Sequence, residues 1–372
     1  MNFEIEFLPV GEKTKAGDAI VIKYETGPGY FQLLLIDGGS AESGKKVIEH
    51  VKKHYGQNAF FNHAILTHCD VDHACGFREI VEGIRVDKVW MHLPWMAAGG
   101  ALPYFADKKM TAQALESKIR AEYDLIDDIY RIATEKKIVV EHPFAGAKIG
   151  PFTVLSPEKE LYEVLLPQFD RTPEADQKAL EAFGIWIGKS PSLIARMMDK
   201  AVAKSEKWIN ETWENERLKE GGKTSATNES SVVMCADFGN GERVLLTGDA
   251  GHWALMLSAA KAKDQGFPLQ KFSFVQIPHH GSRSNVGPAI LNLIIGPILP
   301  KGSPQKFSAY VSAPMDDEHH PRKMVLNAFV RRGGGVIATQ GTAKCYTVGY
   351  SFKEGYSGVK PMPFASQVED YD

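Results

Sequence analysis

The sequence is poor in the features that mark several protein classes. It has four cysteines in 372 residues, Cys69, Cys75, Cys235 and Cys345, and no two form a CxxC pair. They read as reduced thiols, not as a disulfide framework. Internal repeats and low-complexity tracts are absent. No apolar run reaches the ~20 residues of a membrane span, and the longest stretch lies around Leu291 to Leu299. The opening Met1-Asn2-Phe3-Glu4-Ile5-Glu6 carries acids where a signal peptide requires bases. The expectation is a soluble, cytoplasmic chain without membrane contact. An excess of one charge is also missing: 43 Lys and Arg against 46 Asp and Glu leave a formal net charge of −3. That argues against a passive nucleic-acid binder with a broad basic face. It does not argue against a nuclease whose positive charge comes from bound metal.

What is present is an ordinary globular composition, 44% hydrophobic and 24% charged. The length suits two domains or one elaborated domain, and a chain this long buries an adequate core without covalent staples. Short β-branched and aromatic runs predict strands over 3–8, 19–24, 31–36, 64–66 and 86–91, with a helix over 44–54. Apolar residues at steps of three and four from Leu115 to Ala133 predict one amphipathic helix. A strand pair over 137–140 and 151–155 interrupts, and charged helical sequence resumes over 173–220. Strands return over 231–238, 243–246, 272–277, 309–312, 336–339 and 345–349, with helices over 253–263 and 322–331. This pattern predicts an α/β domain over 1–352, a largely helical insertion over 97–227, and a loose tail over 353–372.

The chemistry concentrates in Leu66-Thr67-His68-Cys69-Asp70-Val71-Asp72-His73. Four potential ligands lie within six positions after an apolar strand, and two imidazoles with two carboxylates suit first-row divalent ions. A loop leaving the strand is expected to turn His68, Asp70, Asp72 and His73 toward one point, with the Cys69 side chain turned away. Three other apolar strands run into polar groups: 33–36 into Asp37-Gly38-Gly39, 244–247 into Gly248-Asp249, and 274–278 into His279-His280-Gly281-Ser282. Polar groups at several strand ends describe an active-site rim on an α/β scaffold.

These motifs, in this order, resemble the metallo-β-lactamase fold superfamily, and more narrowly the hydrolase domain of ComEC-type competence proteins. The Asn228/Ser231 strand entry and His320-Pro321 before a helix also fit that branch. The resemblance spans 3–349 without the insertion. It implies a four-layer αββα sandwich with two divalent metal ions, zinc or manganese, at the lip between the sheets. Position by position, it implies His68 and Asp70 on the first metal, Asp72 and His73 on the second, Asp249 bridging, and His279 or His280 completing the second site. Asp37, Asn228 and Ser231 would support these ligands from behind. His68, Asp72, His73 and Asp249 would carry catalysis by a metal-bridged hydroxide.

Two departures make the first site harder in character. Asp70 stands where the superfamily has histidine, and Asn228, Ser230 and Ser231 stand where it supplies another histidine before the bridging Asp. Carboxylate-rich sites favour manganese more than an all-imidazole site does. Ser282, Arg283 and Ser284 offer groups suited to phosphate oxygens, and His320 lies near the metals or contacts substrate. The function expected is a phosphodiesterase or nuclease acting on nucleic acid or another phosphodiester. Its rivals are a metallohydrolase of another class (phosphorylcholine esterase, lactonase, β-lactamase-like) and a non-catalytic binding module. The insertion offers a surface for a protein partner or a dimer contact.

Several motifs are set aside. Gly222-Lys223-Thr224 matches only the end of a P-loop, because Arg217 stands where the first glycine belongs. Ser258-Ala259-Ala260-Lys261 lacks the companion motifs of serine β-lactamases. His50, His54, His63, His92, His142 and His252 read as surface or structural residues, and a helix bearing Trp208 and Trp213 reads as packing.

Overall fold

The computed structural model describes residues 1–11, 17–189, 207–317 and 319–371. Alternation along the strands decides the layers. On β1 (Phe3–Phe7), Phe3, Ile5 and Phe7 face one way and Glu4 and Glu6 the other, as a period of two requires. The apolar trio joins Ile20 and Ile22 of β2 (Ile20–Gly27) and Leu34 and Ile36 of β3 (Tyr30–Ile36). The same core takes Val154, Met234, Val244 and Phe274 from a second sheet, so it lies between two sheets. The other faces of β2 and β3, through Val21, Leu33 and Leu35, pack on α1 (Ala41–Tyr55) and α2 (Val71–Gly83). Helices Pro288–Ile294 and Lys323–Arg331 cover the second sheet with a separate core. The result is the expected four-layer αββα sandwich.

The first sheet also contains β4 (Phe61–Ile65), β5 (Val86–Trp90), β6 (Val139–Glu141) and β15 (Lys344–Val348), in the order β15-β1-β2-β3-β4-β5-β6. The second contains β7 (Lys148–Ile149), β8 (Phe152–Ser156), β10 (Val233–Asp237), β11 (Arg243–Leu246), β12 (Phe274–Gln276), β13 (Phe307–Val311) and β14 (Gly334–Ala338). Its order is β14-β13-β12-β11-β10-β8-β7. In each sheet one half is antiparallel and the other parallel: β3 to β6 in the first, β11 to β14 in the second. Among the described residues, no helix is long and apolar enough to cross a membrane.

Residues 97–227 depart from a helical insertion. β6 closes an edge of the first sheet, while β7 and β8 form an edge of the second, so both sheets run through this segment. The single helix expected through 115–133 is two, Ala112–Glu122 and Asp124–Glu135. Tyr123 leaves helical geometry (ψ 49°), and Asp124 and Asp127 restart the helix where its dipole favours acids. In 173–220 the helix Gln177–Phe183 stops at Gly184, a left-handed cap at φ 86°. Part of the expected helical stretch, 190–206, lies outside the described residues. Trp208 is on a strand, β9 (Trp208–Asn210), and Trp213 donates its indole N–H to the Leu299 carbonyl.

The tail is anchored, contrary to expectation. β16 (Gln367–Glu369) pairs with β9, Val368 is fully buried, and Glu369 accepts the Lys323 amide at 2.9 Å. Lys353 reaches Glu4 and Glu6, each at 2.7 Å. Those two buried carboxylates therefore have a counter-ion supplied from the far end of the chain.

Candidate metal centre

Strand ends from both sheets meet at one lip. Asp37 follows β3, Thr67 and His68 follow β4, Asp249 follows β11, and His279 and His280 follow β12. The 68–73 motif is not wholly a loop. Asp70 is the N-cap residue of α2, and Asp72 and His73 occupy its first turn, so loop and helix share the presentation. Gly76 allows this turn to sit so low: a Cβ there would lie 1.9 Å from the Gly38 carbonyl oxygen. Asp37, His279 and His280 hold φ of 55°, 46° and 53°, a costly conformation for non-glycine residues that clusters at functional sites.

The hydrogen bonds fix the histidine tautomers. Thr67 donates its hydroxyl to Asp37 Oδ2 at 2.7 Å, so its oxygen accepts the Nδ1 proton of His68 at 2.9 Å. His73 donates Nδ1–H to Asp37 Oδ2 at 2.8 Å. Asn285 donates its amide to the Asp249 carbonyl at 2.7 Å, which turns its Oδ1 toward His279 to accept Nδ1–H at 2.9 Å. His280 donates Nδ1–H to the Ser312 carbonyl at 3.1 Å. The His68, His73 and His279 rings are thus held from behind, the usual support of a metal-binding imidazole, whereas His280 Nε2 accepts the Gly17 amide at 3.2 Å.

The opposite nitrogens converge. Nε2 of His68, His73 and His279 lies 3.8, 3.4 and 3.6 Å from Asp249 Oδ2. Nε2 of His68 and His73 and Oδ1 of Asp249 are buried with no hydrogen-bond partner among the described residues. Buried imidazole nitrogens gathered round a carboxylate call for a cation between them, a proton or a metal ion, because an unpaired buried polar atom costs about 1–3 kcal/mol. Ligand atoms within 4.8 Å of one another form the sets His68–His73–Asp249, Asp72–His73–His280, Asp249–His279–His280 and Asp18–Asp37–His73. Asp70 is in none of these sets, though its Oδ2 is 3.7 Å from His68 Nε2.

Charge balance points the same way. Burial disfavours a charged His73, yet Asp249 and Asp37 outweigh it and pull the ring well above the ordinary histidine range. Burial would raise Asp249, but His279 and His73 hold it well below the usual carboxylate range, and Asp72 is lowered against burial by His73. Burial brings His280 down to about 4. The pocket therefore attracts positive charge, and its donor set of imidazoles and carboxylates fits divalent metal ions.

Among the remaining expected residues, Asn228 donates to Thr224 Oγ1 at 2.7 Å, with the same amide nitrogen 3.1 Å from His279 Nδ1. Ser231 Oγ is buried without a partner among the described residues. Ser282 and Ser284 line a cleft of about 430 Å³ over Asp70, Asp72, Asp249 and His279. Arg283 does not line it; its guanidinium donates to the Asp370 carbonyl and lies over Tyr371. His320 stacks beside His279 with ring centroids 6.4 Å apart and meets Asp317 at 3.3 Å. Burial opposes the ionised form of Asp317, but the His320 ring and the amides of His319 and His320 hold it down to about 2.

Sequence reasoning missed Asp18, Gln276 and Asn285. Gln276 accepts the Thr247 and Gly248 amides and donates to Asp18 at 2.8 Å, bridging the two sheets behind the centre. Burial lifts Asp18 to about 7, with Asp249 and Asp37 adding to the rise. The only signal was a polar residue beside an apolar strand, which many surface turns share.

A family model described as the metallo-beta-lactamase superfamily matches residues 32–157, about a third of the chain. That segment holds Asp37, His68, Asp70, Asp72 and His73, and the match supports the resemblance at superfamily level. No named relative carries the narrower likeness to ComEC-type domains. No curated protein matches the chain significantly. Among solved structures, Zn(2+)-bound PqqB from Methylobacterium extorquens is 9% identical, with 92% of this chain and 99% of that chain covered and a TM-score of 0.40. A long form RNase Z from yeast is also 9% identical, covering 93% of this chain and 42% of that one at a TM-score of 0.34. AidC, a dizinc quorum-quenching lactonase, is 11% identical, with 67% of each chain covered and a TM-score of 0.28.

Proposed function

We propose that the chain is a binuclear metal-dependent hydrolase of phosphodiesters, with nucleic acid as its favoured substrate. The observation that carries the reading is the set of imidazoles held at Nδ1, three of them facing Asp249 Oδ2 through Nε2. His68, Asp70 and His279 would hold one ion, Asp72, His73 and His280 the other, and Asp249 both. His279 Nδ1 lies 3.1 Å from the amide nitrogen of Asn228, the residue that stands where the superfamily pattern has a histidine, and this supports giving His279 to the first ion. Bound there, divalent ions supply Lewis acidity and lower the pKa of water toward neutrality.

The protein's own groups divide the remaining work. Asp72, lowered against burial and lining the cleft, stays a carboxylate and orients the attacking water. Asp37 fixes the proton on His73 Nδ1 and keeps Nε2 free for metal. Ser282 and Ser284 offer polar groups to phosphate oxygens along the wall. Asp70 in place of a histidine hardens the first site, which favours manganese as a rival to zinc.

The test combines metal analysis with a substrate panel. Purified protein should bind two equivalents of metal, and Asp249→Ala should lose both. Manganese-loaded protein should cleave bis-p-nitrophenyl phosphate and single-stranded DNA. Turnover of nitrocefin or a lactone alone would end the phosphodiester reading, and activity restricted to zinc would end the manganese inference.

A further inference from the structure

The Gly222-Lys223-Thr224 triplet is not a P-loop, yet it belongs to the cleft. It follows irregular chain and precedes a four-residue helix, Ala226–Glu229. Lys223 and Thr224 nevertheless line the space above Asp72, Asp249 and His279. Gly222 explains how. A Cβ at this position would lie 2.9 Å from the Arg283 carbonyl oxygen, Ser284 Cα and the Ser284 carbonyl oxygen. The loop therefore rests backbone on backbone against 283–284, one residue beyond Ser282 and close after the two site histidines. That contact holds Lys223 at the mouth.

The groups around Lys223 are already engaged. Thr224 Oγ1 accepts from Asn228, and Ser225 Oγ accepts the Asn228 amide at 3.1 Å. The other ammonium lining the cleft, Lys189, is held by the Thr172 and Pro173 carbonyls. Lys223 is exposed and, among the described residues, makes no hydrogen bond or ion pair. Among the described residues its ammonium thus has no partner, beside a floor that itself attracts cations. Such a charge repels metal and binds a diffuse anion; a lysine binds phosphate as a point charge without demanding a fixed fork.

We propose that Lys223 anchors the phosphate next to the scissile one, so that the cleft selects single-stranded phosphodiester chains over isolated diesters. This rests on the phosphodiesterase reading for its kinetic consequence, but not for its binding consequence. The test compares wild type with Lys223→Ala and Lys223→Arg on two substrates. For a five-nucleotide single-stranded DNA, Lys223→Ala should raise KM about five- to twenty-fold with kcat within about two-fold, and Lys223→Arg should restore most of the loss. Kinetics on bis-p-nitrophenyl phosphate, which has no second phosphate, should not change.

Anisotropy of a cleavage-resistant phosphorothioate analogue of the same oligonucleotide, fluorescently labelled and titrated with metal-loaded protein across a sodium chloride series, gives a readout independent of turnover. Removing one phosphate contact should reduce the slope of log K against log salt by about 0.7. Equal slopes and affinities for wild type and Lys223→Ala, or equal KM losses on both substrates, would overturn the proposal. Altered binding in a protein that cleaves neither substrate would leave the anchor standing and bring down the hydrolase reading.

Discussion

At the scale of single residues, Asp37 is the hinge of the site. It is fully buried and accepts three hydrogen bonds, from the Thr67 amide, the Thr67 hydroxyl and His73 Nδ1. Asp37→Ala strands three buried donors. We expect a loss of roughly 2–4 kcal/mol in denaturant unfolding, and a fall of about 10–100-fold in metal affinity. His92 makes a different prediction. It is buried between Phe144 and Tyr162, with ring centroids 4.6 Å away on each side and neither nitrogen partnered among the described residues. Burial brings its pKa down to about 3 from 6.5. Between these values the unfolded chain binds a proton that the folded chain refuses, so stability falls as pH drops from about 6.5 toward 3. His92→Phe removes that term. Thermal melts should show the variant gaining on wild type at pH 5 relative to pH 8; an identical offset at both would refute the burial argument.

At the scale of elements, the placement of α2 decides whether the ligands meet. Gly76→Ala drives a methyl into the Gly38 and Ser40 carbonyls, at 1.9 and 2.5 Å, and has no flexible side chain to push aside. The helix must lift and carry Asp72 and His73 with it. The variant should lose metal stoichiometry along with several degrees of melting temperature, whereas Gly83→Ala, which meets only the Ile48 side chain, should keep its metal.

The buried Arg331–Glu211 pair ties the β9–β16 ribbon to the second sheet's helix layer at 2.7 Å, with both side chains fully buried. Glu211→Ala leaves that guanidinium uncompensated and should cost about 3–5 kcal/mol in urea unfolding. Elements of this kind mark where sequence reading fails. The strands around each ligand motif were legible because their apolar runs and turn residues are local. β6, β8 and β16 were assigned to an insertion or a tail because their meaning lies in partners far along the chain. The break at Tyr123 was hidden because the apolar spacing continues through it.

At the scale of the molecule, the centre gathers carboxylates and imidazoles separated by more than two hundred positions, from His68 to His280. Their chemistry was readable as motifs, since each sits immediately after an apolar strand. Their supports were not: Asn285 and the Ser312 carbonyl act only once the second sheet has aligned its strand ends, and Gln276 reaches Asp18 only once the two sheets face each other. A cation bound there couples to global stability, because the unfolded chain has no such site. Saturating manganese or zinc should raise the melting temperature, by about 2.7 kcal/mol of stabilisation at a hundred times Kd, and EDTA should reverse it. An unchanged melt with either ion, at concentrations shown to load the protein, would place the bound metal outside the folded core.

The strand order of the first sheet carries a consequence for biosynthesis. β1 is flanked on its outer side by β15, and 336 residues lie between their closest registered pair, Phe7 and Lys344. During translation β1 emerges with one flank of backbone amides and carbonyls open, and it stays so until β15 has been made. An exposed strand flank is a template for pairing with other chains. Nascent or truncated forms ending before Lys344 should therefore associate with one another or with a holding chaperone more than the chain in which β15 covers the flank of β1.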